Sequence, residues 1–146
     1  MEKESTSMVG CTSKIINMII QSQYVDNSKS EQDFFAVVSD MRNIPALLPE
    51  QAINVNANED NLSFTVQGMG SIALRVSQRI TYSLVQLVPV GKVPFPFILN
   101  IKIAGLGNNC RVMYEIDAEM NPLMAMMAKR PLQNLVNMMA EKTVTL

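Results

Sequence analysis

The chain has no histidine and no tryptophan, and among its 146 residues it has only two cysteines, three tyrosines and five phenylalanines. Without histidine it lacks the commonest general base, the commonest zinc ligand and any Ser–His or Cys–His nucleophile pair. Charge is scarce too: charged residues make up 17%, and 12 basic against 13 acidic side chains leave a net charge of -1. That balance offers no electrostatic footprint for nucleic acid and no polybasic stretch for an anionic membrane. Cys11 and Cys110 make no disulfide framework and are expected to be a reduced pair. No apolar run reaches the length of a bilayer span. The opening segment Met1–Ser7 is polar, so no secretory signal is expected, although the stretch Met8–Cys11 has the look of a lipidation site. These absences predict a soluble, cytoplasmic protein with no metal, no cofactor and no catalytic constellation.

What is present is apolar. Hydrophobic residues make up 48%, twelve of them methionine, which is enough for one well-filled core and argues against disorder. The expected layout is a flexible tail over residues 1–13 and a single domain over residues 14–146. Isoleucine-rich Ser13–Val25 reads as a strand. Phe34, Phe35, Val38 and Met41 then recur at helical spacing, behind a capping signature formed by Ser30 with Asp33 or by Ser28 with Glu31. A second short helical turn, Arg42–Pro49, is cut by Pro45 and Pro49.

From there the period is two. Ala52–Ala57 and Leu62–Gly68 flank Asn58–Asn61, a hairpin turn by composition, and Gly68–Gly70 reads as a bend. Ile72, Leu74, Val76, Ile80, Tyr82 and Leu84 alternate with Arg75, Ser77, Arg79, Thr81 and Ser83. Phe95, Phe97, Leu99, Ile101 and Ile103 alternate with Asn100 and Lys102. After the turn Gly105–Asn109, Val112, Tyr114, Ile116 and Ala118 alternate with Arg111, Glu115, Asp117 and Glu119. Each such strand has one dry face and one wet face. In Leu84–Phe97, the prolines Pro89, Pro94 and Pro96 are expected to protect an edge strand from stray pairing.

A set of strands with one dry face each needs a cover, and Asn121–Leu146 is the remaining long helical candidate. Asn121 suits the N-cap and Pro122 the first helical position. Met124, Met127, Ala128, Pro131, Leu132, Leu135, Met138 and Met139 form a dry stripe opposite Lys129, Arg130, Gln133, Asn134, Asn137 and Glu141. Pro131 cannot donate to the Met127 carbonyl, and an interior proline costs a free helix about 3 kcal/mol, so a kink near Arg130 and some compensating contact are expected. Methionine adapts to irregular shapes. The stripe therefore either fills a soft core or lines a deformable cavity.

In this order of elements the chain resembles the helix-grip fold of the START-like, or SRPBCC, superfamily, which includes lipid-transfer domains, aromatic polyketide cyclases and the birch-pollen allergen family. The resemblance runs from about Lys14 to Leu146. Ser30–Pro49 is similar to the family's pattern of Ser, an aromatic, Ser-Asp, Asn and Leu-Pro, and Asn121–Glu141 resembles the closing helix of a small bacterial branch. The resemblance implies an α+β fold in which a curved antiparallel sheet wraps a long C-terminal helix, with two short helices after the first strand. It implies a cavity between sheet and helix and a small apolar or amphipathic guest, lipid-like or polycyclic. Other relatives of this fold, such as the assembly helpers of carbon-monoxide dehydrogenase and certain chaperone activators, serve other proteins, so the resemblance leaves a protein partner as an alternative. A cyclase or dehydratase is another.

The residues expected to line the cavity are Phe64, Gln78, Tyr82, Phe97, Leu99, Tyr114, Met124, Met127, Leu135 and Met138. Gln78 interrupts a dry face, so either a bulge turns it to solvent or it offers a hydrogen bond inside. Tyr82 and Tyr114 suit a pocket wall or an ordinary core, and they are the ionisable groups an enzyme would use. Asp117 and Glu119 are read as cross-strand partners of Lys102 or Arg75 rather than as an acid–base pair.

Overall fold

Alternation between short polar turns makes antiparallel pairing the natural outcome, and the computed structural model has it throughout. It describes residues 15–48, 52–66, 70–91 and 95–144. The expected tail, Cys11, Pro49, Gly68 and Pro94 lie outside the described residues. Elements follow in the order β1 (Ile16–Gln21), β2 (Val25–Asn27), α1 (Glu31–Val38), a 3₁₀ turn (Met41–Leu47), β3 (Ala52–Ala57), β4 (Asn61–Val66), β5 (Gly70–Ile80), β6 (Leu84–Pro89), β7 (Phe97–Gly105), β8 (Cys110–Met120) and α2 (Pro122–Val144). The strands form one curved antiparallel sheet in the order β1-β8-β7-β6-β5-β4-β3, with β2 beside β8. This is the expected α+β arrangement.

Local chemistry sets the element ends. Ser30 caps α1, its hydroxyl accepting from the Asp33 amide at 3.2 Å. Asp40 caps the 3₁₀ turn in the same way and also grips the Arg42 guanidinium at 2.6 Å. The Asn58 side chain accepts from the amides of Asp60 and Asn61, closing the β3–β4 hairpin. Gly107, at φ +93°, supplies the left-handed residue in the β7–β8 turn.

Three irregularities depart from the strands read in the sequence. The first strand is not continuous to Val25. Gln21 faces Glu115 but Val25 faces Val112, so one extra residue separates β1 from β2. The long alternation from Ile72 to Leu84 is two strands and a turn. A bulge falls between Val76 and Gln78, β5 ends at Ile80, and Tyr82 adopts φ +62° in the turn that follows. Because residues paired across strands share a face, the bulge exchanges faces beyond it. Arg79 then pairs with inward-facing Val85, while Gln78 and Ile80 pair with the outward-facing Gln86 and Leu84. The third departure is β6, expected at an edge. It lies in the middle of the sheet, with Val85 and Leu87 fully buried and Pro89 as its last residue, where a missing amide does least harm. Leu84–Pro89 is therefore not a free edge.

The exchange at the bulge gives Arg79 its role. Its guanidinium donates to the Ser39 carbonyl at 2.7 Å, to the Glu59 carbonyl at 3.3 Å and to the Asp60 carboxylate at 2.9 Å. One side chain thus ties the end of α1 and the β3–β4 hairpin to β5. On the convex face a polar ladder crosses the sheet. The Gln86 amide donates to Asn100, Asn100 donates to Glu115 at 3.1 Å, and Gln21 and Lys102 donate to the other Glu115 oxygen at 2.7 and 3.2 Å. Lys102 therefore pairs with Glu115, not with Asp117 or Glu119.

The concave face carries the core. Phe34 and Val38 of α1, Met41, Ile44 and Leu47 of the 3₁₀ turn, and Ile101, Val112 and Tyr114 of the sheet are fully buried. From α2 the buried residues are Ala125, Leu132, Val136, Met139, Ala140 and Thr143. Each large apolar side chain there contributes roughly 1.5–3 kcal/mol. This line is rotated from the stripe read in the sequence: Met127 and Pro131 are exposed, and Val136 and Ala140 are inside. The helix continues unbroken through Pro131.

Two carboxylates make stability depend on pH. The Arg42 side chain and backbone amide hold Asp40 at about 2. Burial raises Glu115, but donation from Gln21, Asn100 and Lys102 outweighs it and leaves the group below its ordinary value. The folded chain thus binds fewer protons than the unfolded chain in acid, so this stability is complete above the ordinary carboxylate range and is lost as pH falls through the depressed values. Urea midpoints measured from neutral pH downward should hold steady until about pH 4.5 and then fall toward pH 2. Asp40→Asn and Glu115→Gln should each flatten that fall, and a midpoint that rises with acid contradicts the assignment.

Candidate functional site: an apolar cavity under the closing helix

Between the concave sheet and α2 the core leaves a cavity of about 300 Å³. Its floor is built from cross-strand pairs: Leu62 with Leu74, Phe64 with Ile72, and Leu99 with Ile116. Phe97 and Phe95 stand at one side, their rings 5.8 Å apart and tilted at 54°. Ile44 and Leu48, at either end of the Pro45 turn, close another side. The roof is α2, through Met124, Met127, Ala128, Pro131, Leu132, Leu135 and Met139. All seventeen lining side chains are apolar. No side chain there can donate or accept a hydrogen bond with ordinary strength, so water entering the space forfeits most of its bonds.

The two ends of the roof are held differently. At the C-terminal end the buried Tyr114 hydroxyl bonds Thr143 Oγ1, which donates to the Met139 carbonyl at 2.8 Å. The buried Asn27 amide donates to the Thr143 carbonyl at 2.6 Å. Further up, Gln133 donates to the Gln21 carbonyl at 2.9 Å, tying α2 to the end of β1. At the N-terminal end Asn121 caps the helix, accepting from the Met124 amide at 2.8 Å. Outward from that end, Leu123, Met126 and Met127 are 69%, 80% and 72% exposed. Pro131 sits between the two regimes and leaves the Met127 carbonyl without its usual amide donor. Met127 and Pro131 are exposed yet line the cavity, and so mark its mouth.

Of the residues expected to line a cavity, the structure brings Phe64, Phe97, Leu99, Met124, Met127 and Leu135 together around it. Four lie elsewhere. Gln78 is exposed on the convex side of the bulge. Tyr82 is 42% exposed in the β5–β6 turn, its ring edge-on to Phe35 at 5.8 Å. Tyr114 is in the core at the far end of α2, bonded to a side chain. Met138 is half-buried beyond the cavity, while its neighbour Met139, also in the expected dry stripe, lines it. Ile72, Leu74 and Ile116 are dry positions in the sequence pattern, but nothing in that pattern assigns them to a wall. Ile44 and Leu48 carry no signal beyond their spacing around Pro45.

Titratable groups with displaced values all lie outside the cavity wall. Burial pushes the Tyr114 phenol far above its ordinary range, against a smaller opposing effect of its bond to Thr143. Burial likewise raises the thiol of Cys110, which is free and enclosed. Tyr82 and Tyr114, the two side chains on which acid–base chemistry would rest, therefore do not face the cavity. Among the described residues no cluster of His, Cys, Asp or Glu is placed to hold a metal ion, and no helix is long and apolar enough to cross a membrane. Since the Tyr114 hydroxyl holds the helix end, Tyr114→Phe should lower unfolding free energy by about 1 kcal/mol, measured by urea denaturation. A change of several kcal/mol in either direction contradicts this role for the bond.

By sequence, no family model and no curated protein matches the chain. By structure it is similar to a truncated norcoclaurine synthase from Thalictrum flavum, with a TM-score of 0.67 and 13% identity over 91% of this chain and 96% of that one. A START superfamily protein from Mycobacterium smegmatis matches with a TM-score of 0.62 and 15% identity, over 86% of this chain and 96% of that one. A protein from Bacillus thuringiensis matches at 0.65 and 9% identity, over 89% and 97%. At such identities the likeness is one of backbone, and it agrees with the sheet order, the paired short helices and the closing helix: the chain has the helix-grip fold of the START-like, SRPBCC superfamily.

Proposed function

We propose that the protein binds one small apolar molecule in the cavity beneath α2. The observation that carries this reading is a cavity of about 300 Å³ whose seventeen lining side chains are all apolar. That is the lower end of the size range of ligand sites. An apolar void left empty forfeits dispersion contacts on every side, and a guest of matching shape restores them. Met124, Met127 and Met139 let the roof adapt to that shape. The fold is compatible with such a role: norcoclaurine synthase from Thalictrum flavum has been solved in complex with dopamine and hydroxybenzaldehyde.

Binding without an ionisable wall has a recognisable signature. Affinity for an uncharged apolar fluorescent probe should stay constant from about pH 5 to pH 9, because no lining side chain titrates there. A bell-shaped or sigmoidal profile would instead indicate an acid–base group at the site, as an enzyme requires.

Filling the space is the second test. Ala128 lines the roof and is half-buried, so Ala128→Trp places an indole in the cavity. Probe affinity should fall by at least about tenfold, an order of magnitude set by steric exclusion from a site of this size, while the thermal midpoint stays close to that of the parent. Equal affinity in the two proteins would place the probe somewhere else and remove the reading.

A further inference from the structure

We infer that the outer face of the first turns of α2, formed by Leu123, Met126 and Met127 beside Lys129 and Arg130, docks onto an anionic lipid bilayer. Leu123, Met126 and Met127 are the three most exposed large hydrophobic side chains among the described residues. Their spacing of three and four residues makes them neighbours on one helix face. A patch of this kind on an otherwise ordinary surface marks an interaction site. Met127 belongs to the patch and to the cavity wall alike, so the apolar surface runs without a break from the outside of the helix to the mouth.

Charge selects among the occupants. Lys129 and Arg130 lie immediately beyond the patch, and the sequence has no acidic residue between Glu119 and Glu141. A second copy of this chain, packed through the same face, would offer the two cations no carboxylate from that helix before Glu141. An anionic bilayer offers apolar depth for the three side chains and negative headgroups for the two cations. The net charge of -1 gives no long-range attraction, so both contributions are needed and docking is weak and reversible. A guest would then pass between bilayer and cavity along the apolar mouth without crossing water. Docking does not require an occupied cavity, so it stands or falls separately from the ligand.

The test is sedimentation of the full chain with vesicles of phosphatidylcholine alone and of phosphatidylcholine mixed with phosphatidylglycerol. The parent should pellet with the mixed vesicles, more weakly with the neutral ones, and less as salt is raised. The double variant Leu123→Ser, Met126→Ser touches no cavity-lining residue and should lose roughly tenfold in vesicle affinity while keeping its probe binding and its thermal midpoint. Lys129→Gln with Arg130→Gln should abolish the preference for the mixed vesicles. The inference is overturned if the parent pellets with neither vesicle, if the serine variant pellets as well as the parent, or if sedimentation equilibrium shows a dimer that the serine variant dissolves, which would give this face to a second copy.

Discussion

Everything in this molecule depends on one cover. The concave face of the sheet is apolar from β1 to β4, and α2 is the one described helix long enough to lie along it. Hydrophobic burial is not directional and would by itself let a helix slide or tilt. Direction comes from the buried polar bonds at the C-terminal end, where Tyr114 of β8 and Asn27 of β2 both hold Thr143. Leaving any of these groups unpaired in the core would cost about 1–3 kcal/mol, so one placement of the helix end is strongly preferred. With that end fixed, the other end runs out over the sheet, and the space under it is what remains unfilled.

The sheet reaches its shape through added residues rather than through special ones. The extra residue between β1 and β2 and the bulge after Val76 each bend a strand and exchange its faces. The second bulge brings Arg79 to the side where α1 ends, and three oxygens from two segments, the end of α1 and the β3–β4 hairpin, converge on it. A third irregularity, between Ile53 and Asn56 with Asn54 at φ +54°, lies on the edge strand β3, where such kinks hinder pairing with another chain. Curvature, the seating of the short helices and protection of one edge therefore share a single device.

The same device limits what a sequence reveals. A period of two is a count, and the count stays regular from Ile72 to Leu84 while the chain bulges at Ser77 and turns at Tyr82. Only Gln78, a polar residue interrupting the dry face, marks that bulge, and of its two readings the bulge that turns it to solvent is the one found; Tyr82 reads as inward and is not. The closing helix is legible because its signals are chemical as well as periodic: Asn121 caps, Pro122 starts, and a wide dry stripe follows. The depth of each stripe residue is less legible, since Met127 and Met139 are equally apolar and only the position of the sheet makes one the exposed mouth and the other buried wall. The cavity floor is legible in residue type, as dry alternating positions, but not as a void. A wall residue and a core residue look alike until the space between them is seen.

Ionisable groups are sorted away from the interior space. Glu115 is satisfied within the polar ladder of the convex face, Asp40 and Arg79 work at the junction of the short helices, and Tyr114 spends its hydroxyl on the helix end. A site whose lining side chains offer only carbon and sulfur has little with which to reject a guest for lacking a hydroxyl or an amine, because no side chain there would be left unpaired by such a loss. Its discrimination rests on size and shape, where one methylene is worth about 1–3 kcal/mol. Flexible methionines in the roof soften even that, whereas Phe64, Phe97 and the branched floor residues are stiffer. The proposed site is therefore firm below and compliant above, and this asymmetry suits a protein that accepts several apolar molecules of similar volume over one that recognises a single functional group.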